Sequence, residues 1–221
     1  DIVIKNDFKM EQEIFPTIDW KNASDKEVKQ MLLSLGLFAF IKQRPYDIVA
    51  NPNDQPKAIF ISTFDTAPLA PDYTFILKDQ VADFQAGITA LSTLAPVSVG
   101  IKAGNGIFDG LKNATLHYFK GAHPAGNVGV QINNVNPVNK GEVVWTINPQ
   151  EVLFIGRYVN KGTLDFSKLV ASTGSEVTTP AYYPSIVGSP ITPIVKANVS
   201  QGMSLRYISG NVLSGEKITE N

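Results

Sequence analysis

Apolar residues follow two different spacings along the chain. An apolar face at helical spacing runs through residues 28–35, behind the capping box that Ser24 and Glu27 form, and Gly36 ends it. Further helices are predicted from residues 81–91, from residues 124–135 and from residue 149 onward. Strands are predicted from the short apolar runs between these helices, at residues 58–62, 97–102, 114–119 and 143–147. The alternation favours an α/β fold, a parallel sheet with helices on both faces.

Two successive strand–loop–helix units between Leu116 and Tyr158 predict where a ligand would bind. Pro124 and Pro149 each stand at the first position of a predicted helix, and Asn148 precedes Pro149 as an N-cap residue. Both helix N-termini are therefore expected to face the carboxyl ends of neighbouring parallel strands. An open α/β sheet forms its ligand crevice at that edge.

The pattern changes after Tyr158. Short strands joined by tight turns are predicted at residues 163–170, 185–187 and 205–208. We therefore divide the chain into an α/β domain, residues 1–155, and a small β-rich module, residues 156–221. Residues 1–20 are interpreted as the tail of a preceding N-terminal domain and its linker, with residues 1–5 as the end of an earlier strand.

Composition excludes several classes of function. The formal net charge is -1, which gives no electrostatic reason to expect nucleic acid as a partner. The chain has no cysteine, so thiolate zinc sites, cysteine-ligated iron–sulfur clusters and cysteine nucleophiles are excluded. No apolar run is long enough to span a bilayer, and a cytosolic setting is the default expectation.

Few residues offer chemistry by themselves. The two histidines, His117 and His123, have no close third ligand for zinc, and each is equally well explained as a packed strand or loop residue. Glycines that follow a predicted strand, at 121, 126 and 129, lack the spacing of a dinucleotide-binding loop. No Gly-x-Ser-x-Gly sequence is present, which argues against hydrolysis.

An apolar run at residues 37–41 ends abruptly in the polar residues 42–46. A flat ring with polar oxygens, such as a quinone, would suit this combination, with Phe38, Phe40 and Ile41 against the ring and Arg44 and Tyr46 donating hydrogen bonds to its carbonyls. The alternative is that the apolar residues are core and Arg44 is a solvated surface charge. The residues alone leave both interpretations open.

Five blocks in order resemble the NqrA family, which forms one subunit of the bacterial Na+-translocating NADH:quinone oxidoreductase. They are Gly36-Leu37-Phe38 with Arg44-Pro45-Tyr46; Ala58-Ile59-Phe60-Ile61 with Asp65-Thr66-Ala67-Pro68-Leu69-Ala70; Gly121-Ala122-His123-Pro124-Ala125-Gly126; Trp145-Thr146-Ile147-Asn148 with Gln150-Glu151-Val152; and Ile208-Ser209-Gly210-Asn211-Val212-Leu213-Ser214-Gly215. More distantly, the helix starts at Pro124 and at Asn148-x-x-Glu151 are similar to the flavin-binding, NADH-oxidising subunit of respiratory complex I.

The resemblance implies a Rossmann-like domain followed by a small β-grasp module of the SLBB type. It implies a peripheral subunit on the cytoplasmic side of the bacterial inner membrane, partnered by other subunits of the complex and especially by the membrane-embedded flavin-carrying subunit. The chain departs from the complex I flavoproteins in having no glycine-rich loop at residues 38–46, and Asn127 and Val128 where those proteins have acidic residues. No FMN, no iron–sulfur cluster and no metal are therefore expected in this chain.

The resemblance also implies a quinone, either ubiquinone or menaquinone, as the ligand of the apolar run and its polar end. Arg44 and Tyr46 are expected to bind its oxygens, Phe40, Ile41 and Pro45 to contact its ring, and His123 to exchange protons. The full set of predicted site residues is Phe40, Ile41, Lys42, Gln43, Arg44, Pro45, Tyr46 and His123. Two alternatives remain, a non-catalytic scaffold that docks the redox subunits and a soluble nucleotide or flavin enzyme.

Overall fold

A computed structural model describes residues 11, 14, 15, 17–200, 202 and 204–219. The predicted strand end at residues 1–5 lies outside these residues. Within them, the capping box of Ser24 and Glu27 is formed as predicted, with the Glu27 carboxylate accepting from the Ser24 backbone N–H at 2.8 Å. The predicted N-cap at Asn148 is formed as well.

Helices occupy the predicted positions, with one addition. The helices are α1 (Asp25–Ser34), α2 (Tyr73–Leu77), α3 (Val81–Ser92), α4 (Val128–Val135), α5 (Pro149–Lys161) and α6 (Thr192–Asn198). A 3₁₀ turn at Leu37–Phe40 follows α1, and Gly36 enters it with a left-handed backbone at φ 71°. The apolar run after α1 is therefore partly helical.

The main sheet has six strands in the order β2-β1-β6-β3-β4-β5. Their bounds are β1 (Lys42–Arg44), β2 (Ile48–Val49), β3 (Ile59–Ser62), β4 (Val97–Lys102), β5 (Thr115–Phe119) and β6 (Val144–Thr146). Strands β6, β3, β4 and β5 are parallel, while β1 is antiparallel to both β6 and β2. The predicted parallel sheet is confirmed for four strands, and an antiparallel hairpin extends it at one edge.

Alternate residues of the strands pack on opposite faces. Ile59 and Ile61 of β3 belong to the larger core cluster, which they share with α1, α3 and α5. Ala58 and Phe60 face the other way and pack with Ile132 of α4. The prediction of helices on both faces is therefore confirmed, and it follows from the period-two alternation of a strand.

Helices α3 and α5 cross at very short range because each has a glycine at the crossing. A Cβ on Gly156 would lie 2.6 Å from the carbonyl carbon of Asp83 and 3.0 Å from the backbone nitrogen of Gly87. A Cβ on Gly87 would lie 2.7 Å from Cγ1 of Val152. No larger residue fits at either position without separating the helices.

The second module contains two antiparallel pairs and α6. The strands are β7 (Ser167–Ser172) paired with β8 (Ala181–Ile186), and β9 (Tyr207–Ser209) paired with β10 (Glu216–Ile218). This bears out the predicted small β-rich module. The predicted division after residue 155 falls inside α5, which runs on to Lys161 and ends at Gly162 in a left-handed conformation. A division there would cut a continuous helix, so we place it at Gly162.

Side chains of α5 attach the second module to the first. Gln150 mimics a strand partner, accepting from the Leu169 N–H at 2.8 Å and donating to the Leu169 carbonyl at 3.0 Å. Arg157, which is buried, donates to the carbonyl of Ser167 at 2.7 Å and to the Gln80 side chain. Among the described residues, no helix has the length and apolar character that crossing a membrane requires.

Candidate functional site

The order of the strands defines where a ligand crevice lies. From β3 the chain proceeds outward through β4 to β5, then returns to place β6 on the other side of β3. The topological switch point is therefore between β3 and β6, where an open α/β sheet binds ligands beyond the carboxyl ends of its strands. Residues 63–66 follow β3 there, and Asn148 follows β6. The crevice predicted from the helix starts is located at this edge.

Asn148 and its neighbours fill the β6 side of the crevice. The Asn148 amide donates to the Tyr73 hydroxyl at 2.8 Å, its backbone N–H donates to Glu151 at 3.1 Å, and its Oδ1 accepts from the Gln150 N–H at 3.0 Å. Burial raises the pKa of Tyr73, and the nearby charges of Asp65 and Glu151 raise it further. Burial also raises the pKa of Glu151, against the opposing effect of Lys168 and Lys42. The start of α5 is thus occupied by protein groups.

The loop after β5 is tied to the loop after β3. The Thr66 hydroxyl accepts from the Gly126 N–H at 3.0 Å and lies 3.2 Å from Nδ1 of His123. Gly126 is buried, and a Cβ there would lie 2.6 Å from the backbone nitrogen of Thr66. The glycine therefore allows two protein loops to approach each other. This use explains its presence without a phosphate.

A buried amide completes this junction, and the sequence did not predict it. Gln131 of α4 is 1% exposed, and its Nε2 donates to the Ser62 hydroxyl at 2.8 Å and to the Ala125 carbonyl at 3.2 Å. Its Oε1 has no hydrogen-bond partner and lies against Gly100 of β4, which has no side chain to displace it. A glutamine beside the apolar face of a helix gives no sequence signal of such a role.

An open cavity of about 580 Å³ lies beyond the ends of β3, β4 and β5. Its lining residues are Phe64, Thr66, Lys102, Ala103, Gly104, Phe119, Lys120 and Gly121. None of the predicted site residues lines it. His123 lies close by through its contact with Thr66 and is itself exposed.

The first part of the predicted quinone segment supports the fold. Phe40 packs edge-on against Phe154 with ring centroids 5.3 Å apart, and also contacts Phe166 at 6.0 Å. Ile41 is fully buried in the larger core cluster, so contact between its side chain and a ligand ring is not available in this conformation. Lys42 is exposed and pairs in register with Thr146, at the carboxyl end of β6.

Gln43 is buried and its amide is fully used within the protein. Its Oε1 accepts from the indole N–H of Trp145 at 3.0 Å and from the Asn51 N–H at 3.3 Å, and its Nε2 donates to Asp54 at 2.6 Å. A buried amide with these partners holds the hairpin against the sheet. Gln43 therefore acts as a structural residue in this conformation.

Arg44, Pro45 and Tyr46 lie at the opposite edge of the sheet from the crevice. Because β1 runs antiparallel to β6, Arg44 pairs with Val144, the first residue of β6, and the chain turns beyond the amino ends of the parallel strands. Tyr46 is 80% exposed. The expectation that this guanidinium and phenol border the crevice is wrong, because the direction of β1 carries them away from it.

The hairpin nevertheless presents an apolar surface with free donors. Ile48 and Val49 of the edge strand β2 are 53% and 49% exposed beside Tyr46. Arg44 forms an ion pair with Asp47 at 3.4 Å, while its Nε is buried without a partner. We call Arg44 to Val49 the hairpin surface.

The two histidines lie far from the hairpin surface. His123 follows β5, at the other side of the sheet and at its carboxyl edge, so the structure does not bring it together with Arg44 and Tyr46. His117 is on β5, partly buried, with its Nε2 unpaired, and burial lowers its pKa. Within the described ranges, no group of three or more potential metal-ligating side chains is found.

Comparison with known proteins matches both parts of the chain. The model described as the NqrA second alpha/beta domain matches residues 23–164, and the model described as the NQRA C-terminal domain matches residues 169–220. The NqrA-type subunit of the Na(+)-translocating NADH-quinone reductase of Haemophilus influenzae (strain PittGG) is 33% identical over 219 residues, which are 97% of this chain and 49% of that protein.

Two further matches agree in extent. The protein of the same name from Neisseria meningitidis serogroup B (strain ATCC BAA-335 / MC58) is 32% identical over 217 residues, 97% of this chain and 48% of that one. The chain therefore spans about half the length of these relatives. The crystal structure of an NAD+-reducing [NiFe]-hydrogenase in the air-oxidized state has a similar fold, with a TM-score of 0.51, 14% identity, and coverage of 86% of this chain and 41% of that chain.

Proposed function

Because the chain belongs to the NqrA family of the Na(+)-translocating NADH-quinone reductases, we propose that it is part of a quinone-interacting peripheral subunit of a sodium-pumping NADH:quinone oxidoreductase. The observation that carries the proposal is the family match across both domains. The enzyme activity belongs to the assembled complex. The chain lies on the cytoplasmic side of the bacterial inner membrane and is bound by the other subunits, including the membrane-embedded flavin-carrying subunit.

The redox cofactors are carried by those partners, with no FMN, iron–sulfur cluster or metal in this chain. Its crevice supports this part of the proposal. Asn148 uses its capping groups on Gln150, Glu151 and Tyr73, and the Gly126 N–H is bonded to Thr66. A phosphate needs such N–H groups free and accessible, and these are engaged. The sodium path lies in subunits that span the membrane.

Quinone contact is assigned to the hairpin surface. Tyr46 and Arg44 supply hydrogen-bond donors for the quinone oxygens, and the exposed faces of Ile48 and Val49 supply apolar contact for its ring. Pro45 and the exposed Lys42 extend this surface, while Phe40, Ile41 and Gln43 hold it in place from within the fold. His123 exchanges protons with solvent at a separate position.

Photoreactive quinone applied to the assembled complex tests this assignment. We expect label on peptides covering residues 38–49 of this chain, and competition by unmodified quinone. Label found only on another subunit, with these peptides unmarked, contradicts the assignment.

A second candidate function is a scaffold that docks the redox subunits without contacting quinone. The commitment of Ile41 and Gln43 to the fold favours it. Replacing Arg44 and Tyr46 together by alanine separates the two functions. The quinone proposal predicts normal assembly with a raised KM for quinone, whereas the scaffold predicts unchanged kinetics. Tyr118→Ala, which removes an exposed tyrosine from β5 at the far edge of the sheet, is the matched control.

A further inference from the structure

We propose that the cavity beyond β3, β4 and β5 binds a small aromatic anion, a flat ring system that carries a carboxylate. The site is separate from the hairpin surface, which lies at the other side and the other edge of the sheet. It therefore stands or falls independently of the proposed quinone contact. We call it the phenyl–lysine cavity, after Phe64, Phe119, Lys102 and Lys120.

The size and walls of the cavity suit one or two fused rings. Its volume of about 580 Å³ is within the range of about 300–1,000 Å³ that is usual for small-molecule sites. Phe64 comes from the end of β3 and Phe119 from the end of β5, and their ring centroids are 6.5 Å apart at an angle of 36°. Since both rings are attached at the ends of strands, the cavity has apolar surface held in a constant position.

The charge around the cavity is of one sign. Lys102 ends β4 and Lys120 follows β5, and both line the cavity. In the described part of the chain neither ammonium group has an ion pair or a hydrogen bond, and no carboxylate is among the lining residues. Two uncompensated positive charges beside apolar rings favour a ligand with negative charge.

The backbone keeps the cavity accessible. Gly104 turns the chain after β4 with a φ of 89°, a conformation that side chains rarely adopt, and no atom lies within 4 Å of the position its Cβ would take. The cavity also lies beyond the carboxyl ends of three adjacent parallel strands. This is the edge at which α/β sheets bind their ligands.

A single carboxylate is favoured over a pyrophosphate. A pyrophosphate is bound by a series of free backbone N–H groups at a helix start. The nearest candidate, the Gly126 N–H, already donates to the Thr66 hydroxyl at 3.0 Å. Lysines bind instead as mobile point charges and need no such geometry. The ring supplies the apolar contact and the carboxylate supplies the ion pairing.

The test compares two probes that have the same ring. Binding of 2-naphthoate and of neutral 2-naphthamide to the purified chain is measured by calorimetry and by ligand-observed NMR. We expect naphthoate to bind at least tenfold more tightly than naphthamide, and this difference to fall when salt is raised from about 0.05 to 0.5 M. Lys102→Gln combined with Lys120→Gln removes the difference, and Phe119→Ala weakens both probes.

Lys112→Gln is the matched control, since Lys112 is exposed and precedes β5 at the opposite edge of the sheet. It makes the same change of charge per residue and is expected to leave both affinities unchanged. The proposal is overturned if neither probe binds, if both bind equally, or if the double lysine variant binds naphthoate like the wild type. An equal loss in Lys112→Gln also overturns it, because the effect is then one of net charge. Thermal unfolding of each variant checks that the fold is retained.

Discussion

Gly156→Ala tests the closest contact in the structure, the crossing of α3 and α5. The added methyl group would lie 2.6 Å from the carbonyl carbon of Asp83, and no side-chain rotation can relieve a clash with backbone. The two helices must therefore move apart by about 1 Å, which opens the packing between Gly87 and Val152.

The magnitude follows from two opposing effects. Overpacking a core costs about 1–3 kcal/mol, and contact with rigid backbone places this case at or above the upper end. Replacing glycine by alanine inside a helix returns about 1 kcal/mol. We expect Gly156→Ala to lower the free energy of unfolding by about 2–3 kcal/mol. For a chain of this size the Tm falls by about 4–12 °C.

Gly129→Ala is the matched control. Gly129 also lies in a helix, α4, but no atom lies within 4 Å of its Cβ position. The same substitution there gains helix propensity without a clash, so the Tm is expected to rise by up to about 4 °C. Urea unfolding of both variants measures the two changes. A Gly156→Ala chain as stable as the wild type would show that the helices do not cross at this distance.

Three further predictions concern the junctions around the sheet. Gln150→Ala leaves the Leu169 N–H and carbonyl without their side-chain partner, so faster limited proteolysis after residue 162 and a loss of about 2 kcal/mol are expected, while Gln85→Ala serves as a control on α3. Gly100→Ala places a Cβ 2.6 Å from Cδ of Gln131 and is expected to lower the Tm, and the added substitution Gln131→Ala should restore part of it; no restoration would mean that the two residues do not touch. Because burial raises the pKa of Glu151, the folded chain holds its proton more strongly than the unfolded chain, and this group loses stability as pH rises above about 4.5. Urea unfolding should therefore show Glu151→Gln gaining stability relative to the wild type between pH 4 and pH 7, and a constant difference would contradict the raised pKa.

Local signals in the sequence were sufficient for most elements of the fold. The box of Ser24 and Glu27 and the N-cap at Asn148 act within one helical turn, so they form whatever surrounds them. The buried strands β3 and β4 were likewise evident, because a continuous apolar run has few alternatives in a chain of alternating helices. The family resemblance rested on such segments as well.

The candidate site depended on information that short segments do not contain. The three residues of β1 fit a parallel or an antiparallel neighbour equally well, and the antiparallel choice carries Arg44 and Tyr46 to the edge opposite the crevice. Likewise, Phe64, Lys102 and Phe119 come from three different strands, and only the strand order makes them neighbours.

The sequence by itself determined which residues form helices and strands, because capping and hydrophobic period depend on residues a few positions apart. Only the tertiary structure decided which strand edge each candidate residue occupies, how closely α3 approaches α5 through Gly87 and Gly156, and how Gln150 binds the second module. These features depend on strand direction and on contacts between residues distant in the chain. Their energies exist only once the sheet has formed.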